Sequence, residues 1–516
     1  MNTWSEITAA AVVGTGQQEF LMPAGDNDLN RVLQQVKNAD REQLLLTAVS
    51  VVALYRQAGV ELPVDLLPRS LPPGSEEKLR ASPVAGQHLS MMLQGEFSEV
   101  LPEWLMALAN AGKRVPEELL PALLDHARDD QALRELILPV LGKRGEWLAS
   151  ENPDWGYVHT LGQTVWETST RDERLVLLER LRAQDPAQAR QVLQSTWQRE
   201  AARDRAAFLE KLLVNVTGAD EQFLEEALND RSGDVRRVAR TILATLPQSN
   251  LAVRVGQVLS QVISFKKPLI GKARIEVEIP DEPLDWLKAK GIEIDTLPRT
   301  RVAQSMGPKG WALKELVALS NPGFLSDLWH KSPDDVVNAA SESEWASSLI
   351  EGLIQATRRE RKTDWIEALI KNSIQQPEQG AAGAWMADLA SYLPSANLEA
   401  LVTSLVKSAK GLNDQSPALV LILAHRTAWS DAFSRLVVSS IKTQIRNTQK
   451  ADANDWSTRS ALKQFARYIP PDLYDEFAAE WPFEAGAWST WAKNVSAFSS
   501  LLLFRRDMHR AIALEK

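Results

Sequence analysis

Apolar residues recur with a helical period over most of the chain, most plainly between residues 234 and 247. There Val235, Val238, Ala239, Ile242, Leu243 and Leu246 fall at i, i+3, i+4, i+7, i+8 and i+11, which paints one apolar stripe along one helix. Asp234 stands where an N-cap is expected, and Pro247 stands where the helix must stop. The helix before it, opened by Asp220, carries Phe223, Leu224, Ala227 and Leu228 on one side, and a polar Arg-Ser-Gly turn joins the two. Two short amphipathic helices of this kind cannot bury their stripes alone. They need similar pairs on both sides, so the pattern predicts an all-α, HEAT-like helical array, that is, an α-solenoid.

The same reading extends along the chain. Residues 3–13 form a short helix ended by Gly14 and Gly16. A longer helix over 40–57 opens with an Asp40/Gln43 capping-box pattern, lines one face with Leu44, Ala48, Val51, Val52 and Tyr55, and places Gly59 at its C′ position. Residues 1–60 are thus expected to be an N-terminal helical cap. Residues 61–83 hold Pro63, Pro68, Pro72, Pro73 and Pro83 and read as an extended connection and a boundary. From 84 to 250, short helices punctuated by Pro, Gly and Asn/Asp make a first helical half. Between 251 and 310 the rhythm changes. Ile275, Val277 and Ile279 alternate with Arg274, Glu276 and Glu278, a half-buried strand, and Ile292 and Ile294 are the expected partner strand. The predicted β-containing insertion, near 262–297, splits the two helical halves. The second half, 311–516, is marked by Trp345, Trp365 and Trp385, twenty residues apart, about one helix plus one turn. Glu344 and Asp364 precede the first two of these tryptophans, where an acidic side chain complements a helix start. A terminal unit collects Trp481, Trp488, Trp491, Phe498 and Phe504.

Composition narrows the function classes. The 516 residues include no cysteine, which excludes disulfides, thiolate metal sites and a cysteine nucleophile. No run of about 18 apolar residues occurs, and the first residues lack the basic and apolar regions of a signal peptide, so a cytoplasmic chain with no membrane partner is expected. A net charge of −9 argues against a general nucleic-acid coat, while leaving room for a local basic face. Histidines 88, 126, 159, 330, 425 and 509 are scattered with no metal-ligand spacing, so no metal site is expected. Gly14-Thr15-Gly16 and Gly307-Pro308-Lys309-Gly310 match no phosphate-loop pattern. They read as a helix stop and as a loop before a helix that begins near Trp311. No nucleophile elbow is present, and paired carboxylates such as Glu225/Glu226 and Asp334/Asp335 read as solvated faces or first-turn dipole partners. No catalytic residue and no cofactor are therefore assigned.

Binding chemistry is better represented. Arg231, Arg236, Arg237 and Arg240 flank the central hairpin, and Arg358, Arg359, Arg361 and Lys362 form a second basic group. Corresponding helices of an array line one surface, so these arginines are candidates to meet an acidic partner or phosphates. Across 171–240, however, 13 basic residues face 13 acidic ones, so pairing within and between helices is the first explanation. The terminal aromatics Trp481, Trp488 and Trp491 are the candidate docking patch, because the last repeat of an array must be capped or used.

The runs WSEITAAAVVGTG, VLGKRGEWLASENPDW, RSGDVRRVARTILATLP and SPDDVVNAASESEWASSLIEGL together resemble an uncharacterised bacterial family of HEAT-like helical proteins of unknown function. Members of that family tend to be encoded beside a MoxR-type AAA+ ATPase, a von Willebrand factor A protein and a SWIM zinc-finger protein. The resemblance thus implies a part in an ATP-driven protein-remodelling system, with the ATPase or the von Willebrand protein as partner. The expected function is a non-enzymatic protein-binding scaffold or adaptor. The alternatives are a nucleic-acid-binding helical repeat and a base-processing enzyme of helical-repeat type, which needs a buried acid beside exposed aromatics.

Overall fold

The computed structural model describes residues 3–14, 28–35, 40–58, 74–160, 166, 169–376, 384–408, 412, 414, 416–448 and 456–513. The chain divides into two compact units, Met1–Gly74 and Ser75–Lys516, and the division falls inside the Pro-rich stretch of residues 61–83. In the first unit the helices Thr3–Val13, Asp28–Gln34 and Arg41–Ala58 bury Ile7, Ala10, Leu29, Leu33, Leu45, Ala48 and Val52 against one another. Gly14 ends the first helix at φ +90°, donating its N–H to the Ala10 carbonyl at 3.0 Å, a conformation glycine adopts without a Cβ penalty. Asp40 accepts from the Glu42 N–H at 3.0 Å and so caps the third helix. Gly16 and Gly59 lie outside the described residues.

The second unit is an all-α array with a small β element. Helices pack on a successor or on a helix two or three further along. Arg171–Gln184 meets Pro186–Thr196 and Ala202–Lys211, and the latter meets Gly233–Leu243; further on, Arg301–Leu319 packs on Ala346–Glu360, and Pro333–Ser341 on Thr363–Gln375. Polar ties between neighbouring rungs recur with a separation of 30 residues: Trp155 to Asp125, Trp166 to Thr196, Arg190 to Asp220, Arg358 to Asp388 and Asn397 to Glu367. One continuous apolar cluster runs from Ala81 to Ile512. Trp345, Trp365 and Trp385 stand at or beside the starts of Ala346–Glu360, Thr363–Gln375 and Ala384–Ala390, and the Trp365 N–H donates to the Asp364 carboxylate at 2.9 Å.

Several expected details differ. Ser232, not Asp234, is the N-cap of Gly233–Leu243, with extended φ −81°, ψ 124°, and Asp234 lies in the first turn, paired with Arg237. The helices Gln131–Glu151 and Arg301–Leu319 are each broken by a glycine at φ 67°, ψ 176°, Gly142 and Gly307. The Gly307 stretch therefore lies between two helical segments, one opening at Arg301 and one running on through Trp311 to Leu319, so the break is where it was expected but a further helical turn precedes it. At Gly142 the restart is capped by Glu76, which accepts from the Lys143 and Arg144 N–H groups at 2.9 and 2.8 Å.

The β element pairs Arg274–Val277 with Ile263–Lys266, antiparallel, in the register Ile263↔Val277 to Lys266↔Arg274. Ile292 and Ile294 are buried but form no strand. Arg240 holds their segment from outside, donating to the Glu293 carbonyl and the Asp295 carboxylate, both at 2.8 Å. A two-residue parallel pairing joins Leu79–Arg80 to Lys113–Arg114.

The last helix, Trp488–Ala513, packs on the unit's first helices, Pro83–Leu93 and Leu101–Asn110. Arg505 is 5% exposed and donates to both oxygens of Glu103 at 2.7 Å and to the Ile469 carbonyl at 2.6 Å. Lys113 donates to the Ile512 carbonyl at 2.8 Å, and Phe97 stacks on Phe504 with ring centres 4.3 Å apart. The terminal rung of the array is thus covered by the first one. Among the described residues no helix is long and apolar enough to cross a membrane.

Candidate functional site

The predicted arginines divide into a group held inside the array and an exposed group. Arg236 donates to the Asp230 and Arg231 carbonyls at 2.7 and 3.2 Å, closing its own turn. Arg240, 5% exposed, is spent on residues 293–295. Arg359 lies in the interior, where burial pushes its pKa down against the pull of Glu360, and donates to the carbonyls of Ala318 and Ser320 at the C-terminal end of Arg301–Leu319. Its cation faces the negative end of that helix. Arg231, Arg237, Arg358 and Arg361 are exposed. Arg237 pairs with Asp234, Arg358 with Asp388, and Arg361 lies 4.4 Å from the Tyr392 ring centre. The two basic groups therefore serve different joints: the first the 230–234 turn and the 293–295 segment, the second the 318–320 turn and the 388–392 turn.

The terminal aromatics are sorted by burial. Trp491 is fully buried and Trp481 is 4% exposed, its Nε1 donating to the Phe477 carbonyl at 2.8 Å. Both belong to the core, so neither offers an exposed docking face. Trp488 is half-buried and meets Phe483 edge-on at 4.7 Å, and Phe483 is 62% exposed. Phe483 is the aromatic that sequence reasoning missed at this end, because Pro482 and Glu484 flank it outside any apolar period. With Arg446, Trp481, Pro482, Glu484 and Ala485 it lines a surface notch of about 490 Å³. Lys442 lies 5.2 Å from the Trp481 ring centre and donates to the Ala479 carbonyl, and burial lowers its pKa.

Charged groups also sit deep in the array, and the sequence did not single them out. Arg182 and Asp220 are fully buried, with Nη2 to Oδ2 at 2.9 Å. Arg182 further donates to the carbonyls of Val214, Pro186, Leu212 and Asn215, and Arg190 reaches the same carboxylate at 2.7 Å. Burial pushes Asp220 up, but Arg182, the Thr217 N–H and Arg190 outweigh it and hold the carboxyl below its ordinary value. Glu103 is likewise held down, against its burial, by His509 and Arg505. His425, 2% exposed, lies 3.4 Å from Glu399 and 3.2 Å from the Thr427 hydroxyl, and burial keeps it below its ordinary value. Glu399 in turn accepts from the Ser430 N–H and hydroxyl, so this set ties one helix cap to its neighbour.

Trp456 is 66% exposed, and the carboxylate near it, Asp414, accepts from the Ser457 and Thr458 N–H groups and the Thr458 hydroxyl. Those bonds overcome its burial and hold it ionised as a helix cap. The acid beside an exposed aromatic is therefore engaged in capping. Among the described residues no group of three or more His, Asp or Glu side chains is placed to hold a metal ion. No curated protein and no solved structure matches the chain. The model of a family described as "Family of unknown function (DUF5691)" matches residues 6–512, nearly the whole chain, and the chain therefore belongs to that family.

Proposed function

We propose that the chain is a non-enzymatic, cytoplasmic scaffold or adaptor whose array binds another protein, a MoxR-type AAA+ ATPase or its von Willebrand factor A companion. The observation that carries this reading is the notch at Phe483. An aromatic ring 62% exposed, backed by Trp488 and floored by Trp481, is a preformed anchor of the kind that dominates protein interfaces. Arg446 and Glu484 on its rim supply both signs of charge for orientation. The nucleic-acid alternative needs a free cationic face, and the engagement of Arg236, Arg240 and Arg359 inside the array weighs against it.

The test is a titration of the purified chain with each of the two partner proteins after nuclease treatment. Phe483→Ala is expected to weaken binding by roughly thirtyfold, the effect of losing an interface anchor of about 2 kcal/mol, with an unchanged circular dichroism spectrum. Wild-type affinity in Phe483→Ala would remove the notch from the interface. Absence of binding to either protein would remove the adaptor reading itself.

A further inference from the structure

The hairpin Ile263–Val277 is fixed at its base and bare at its tip. Ile263 and Ile275 are buried, Phe265 meets Trp329 with ring centres 5.7 Å apart, and the Ser343 hydroxyl donates to the Ile275 carbonyl at 2.5 Å. The Glu278 N–H donates to the Val262 carbonyl at 2.8 Å just below the ladder. Beyond the Lys266↔Arg274 pair, residues 267–273 form the tip, turned by Gly271 at φ +110°. There Leu269 is 106% exposed and Ile270 94% exposed, so both side chains stand clear of the fold. Cations surround them: Lys266 and Lys267 before, Lys272 and Arg274 after. Glu342 holds Lys272 and Glu276 holds Arg274, and no carboxylate among the described residues pairs with Lys266 or Lys267. These side chains and Ile270 line an open hollow of about 670 Å³.

The geometry points to this tip as an anchor for an anionic lipid surface, in which Leu269 and Ile270 enter the acyl boundary while the lysines meet the phosphates. A stable protein interface needs roughly 1,000 Å² with matched shape, which two side chains on a seven-residue loop do not supply. A fluid bilayer requires no matched shape. Apolar side chains at the apex with cations set back beside them reproduce the order of layers met on entering a membrane from water. The sequence-based expectation of no membrane partner rested on the lack of a spanning run, and an interfacial anchor needs none. The anchor is independent of the scaffold reading.

The experiment is co-sedimentation of the full chain with vesicles of phosphatidylcholine alone and with about one-third phosphatidylserine, at roughly 0.1 M salt. Binding is expected only to the anionic vesicles, and to weaken as salt is raised. Leu269→Ser/Ile270→Ser and, separately, Lys266→Glu/Lys267→Glu are each expected to lower it by about tenfold or more. All four positions are exposed, so both variants keep the fold, which circular dichroism checks. No sedimentation with anionic vesicles overturns the assignment, as does equal sedimentation of the variants or equal binding to neutral vesicles. Binding to a fluorescent DNA duplex that the same substitutions abolish, without vesicle binding, overturns it in favour of a nucleic-acid arm.

Discussion

Full burial of the Arg182 guanidinium is tolerable because its donors all find acceptors, four of them backbone carbonyls. Asp220→Ala would strand Arg182 and half-strand Arg190, at a cost of about 3–5 kcal/mol, read as a lowered urea midpoint. A loss near zero would show that water reaches the site. Replacing the pair together, Arg182→Met with Asp220→Leu, is predicted not to restore stability, because the carbonyls of Val214, Leu212 and Asn215 lose their donor. Titration adds a second prediction. Burial holds His88 and His425 below their ordinary value of 6.5, so as pH falls through that value the unfolded chain takes up protons before the folded one does. Their contribution is complete above 6.5 and is lost as pH falls below it. Asp220 and Glu103 are held below 3.8 and 4.5, so theirs is lost only on further acidification through those values. The melting temperature should therefore fall in two stages, and a flat profile from pH 7 to about 5 would contradict the first. The balance of 13 basic and 13 acidic residues over 171–240 implied pairing as the dominant fate of the charges. It could not name Asp295 as the partner of Arg240, 55 residues away, because a charge carries no record of its contacts.

Helices were legible because an apolar stripe is a local property, and burial follows it: Val235, Val238, Ala239, Ile242 and Leu243 are all interior. The strand partner was not legible. Ile292 and Ile294 are apolar in alternation, but Ile263 is closer along the chain and completes a hairpin, leaving the isoleucines to pack while Arg240 satisfies their neighbours. The hairpin tip escaped notice for a similar reason, since flanking lysines cancel Leu269 and Ile270 in any hydropathy window. The two broken helices allow a controlled comparison. Gly142 and Gly307 share one backbone conformation that side chains other than hydrogen rarely adopt, worth about 1–3 kcal/mol when an alanine replaces them. A Cβ at Gly307 meets nothing within 4 Å, whereas one at Gly142 comes within 2.8 Å of Glu76 and would push that cap off Lys143 and Arg144. Gly142→Ala is thus predicted to cost about 1–2 kcal/mol more than Gly307→Ala in paired urea titrations. Equal costs would mean that Glu76 moves aside freely.

At the largest scale, a linear array has two loose ends, and the unit Ser75–Lys516 has none, because Trp488–Ala513 covers Pro83–Leu93 and Leu101–Asn110. No periodicity could announce a contact between residues 402 positions apart. Arg505→Met removes the ion pair from Glu103 and the donors from Ala466 and Ile469. Hydrogen exchange should then quicken at 83–110 and 488–513 together, with 202–243 protected as before; quickening at only one of the two would show that they do not depend on each other. The closure also sets an order in time. Glu103 leaves the ribosome 402 residues ahead of its partner, about 20–80 s at ordinary rates of synthesis. Through that interval Leu101, Trp104 and Leu105, which end in the core, wait without the helix that covers them. Nascent chains are then most in need of a chaperone at the first helices of the unit Ser75–Lys516.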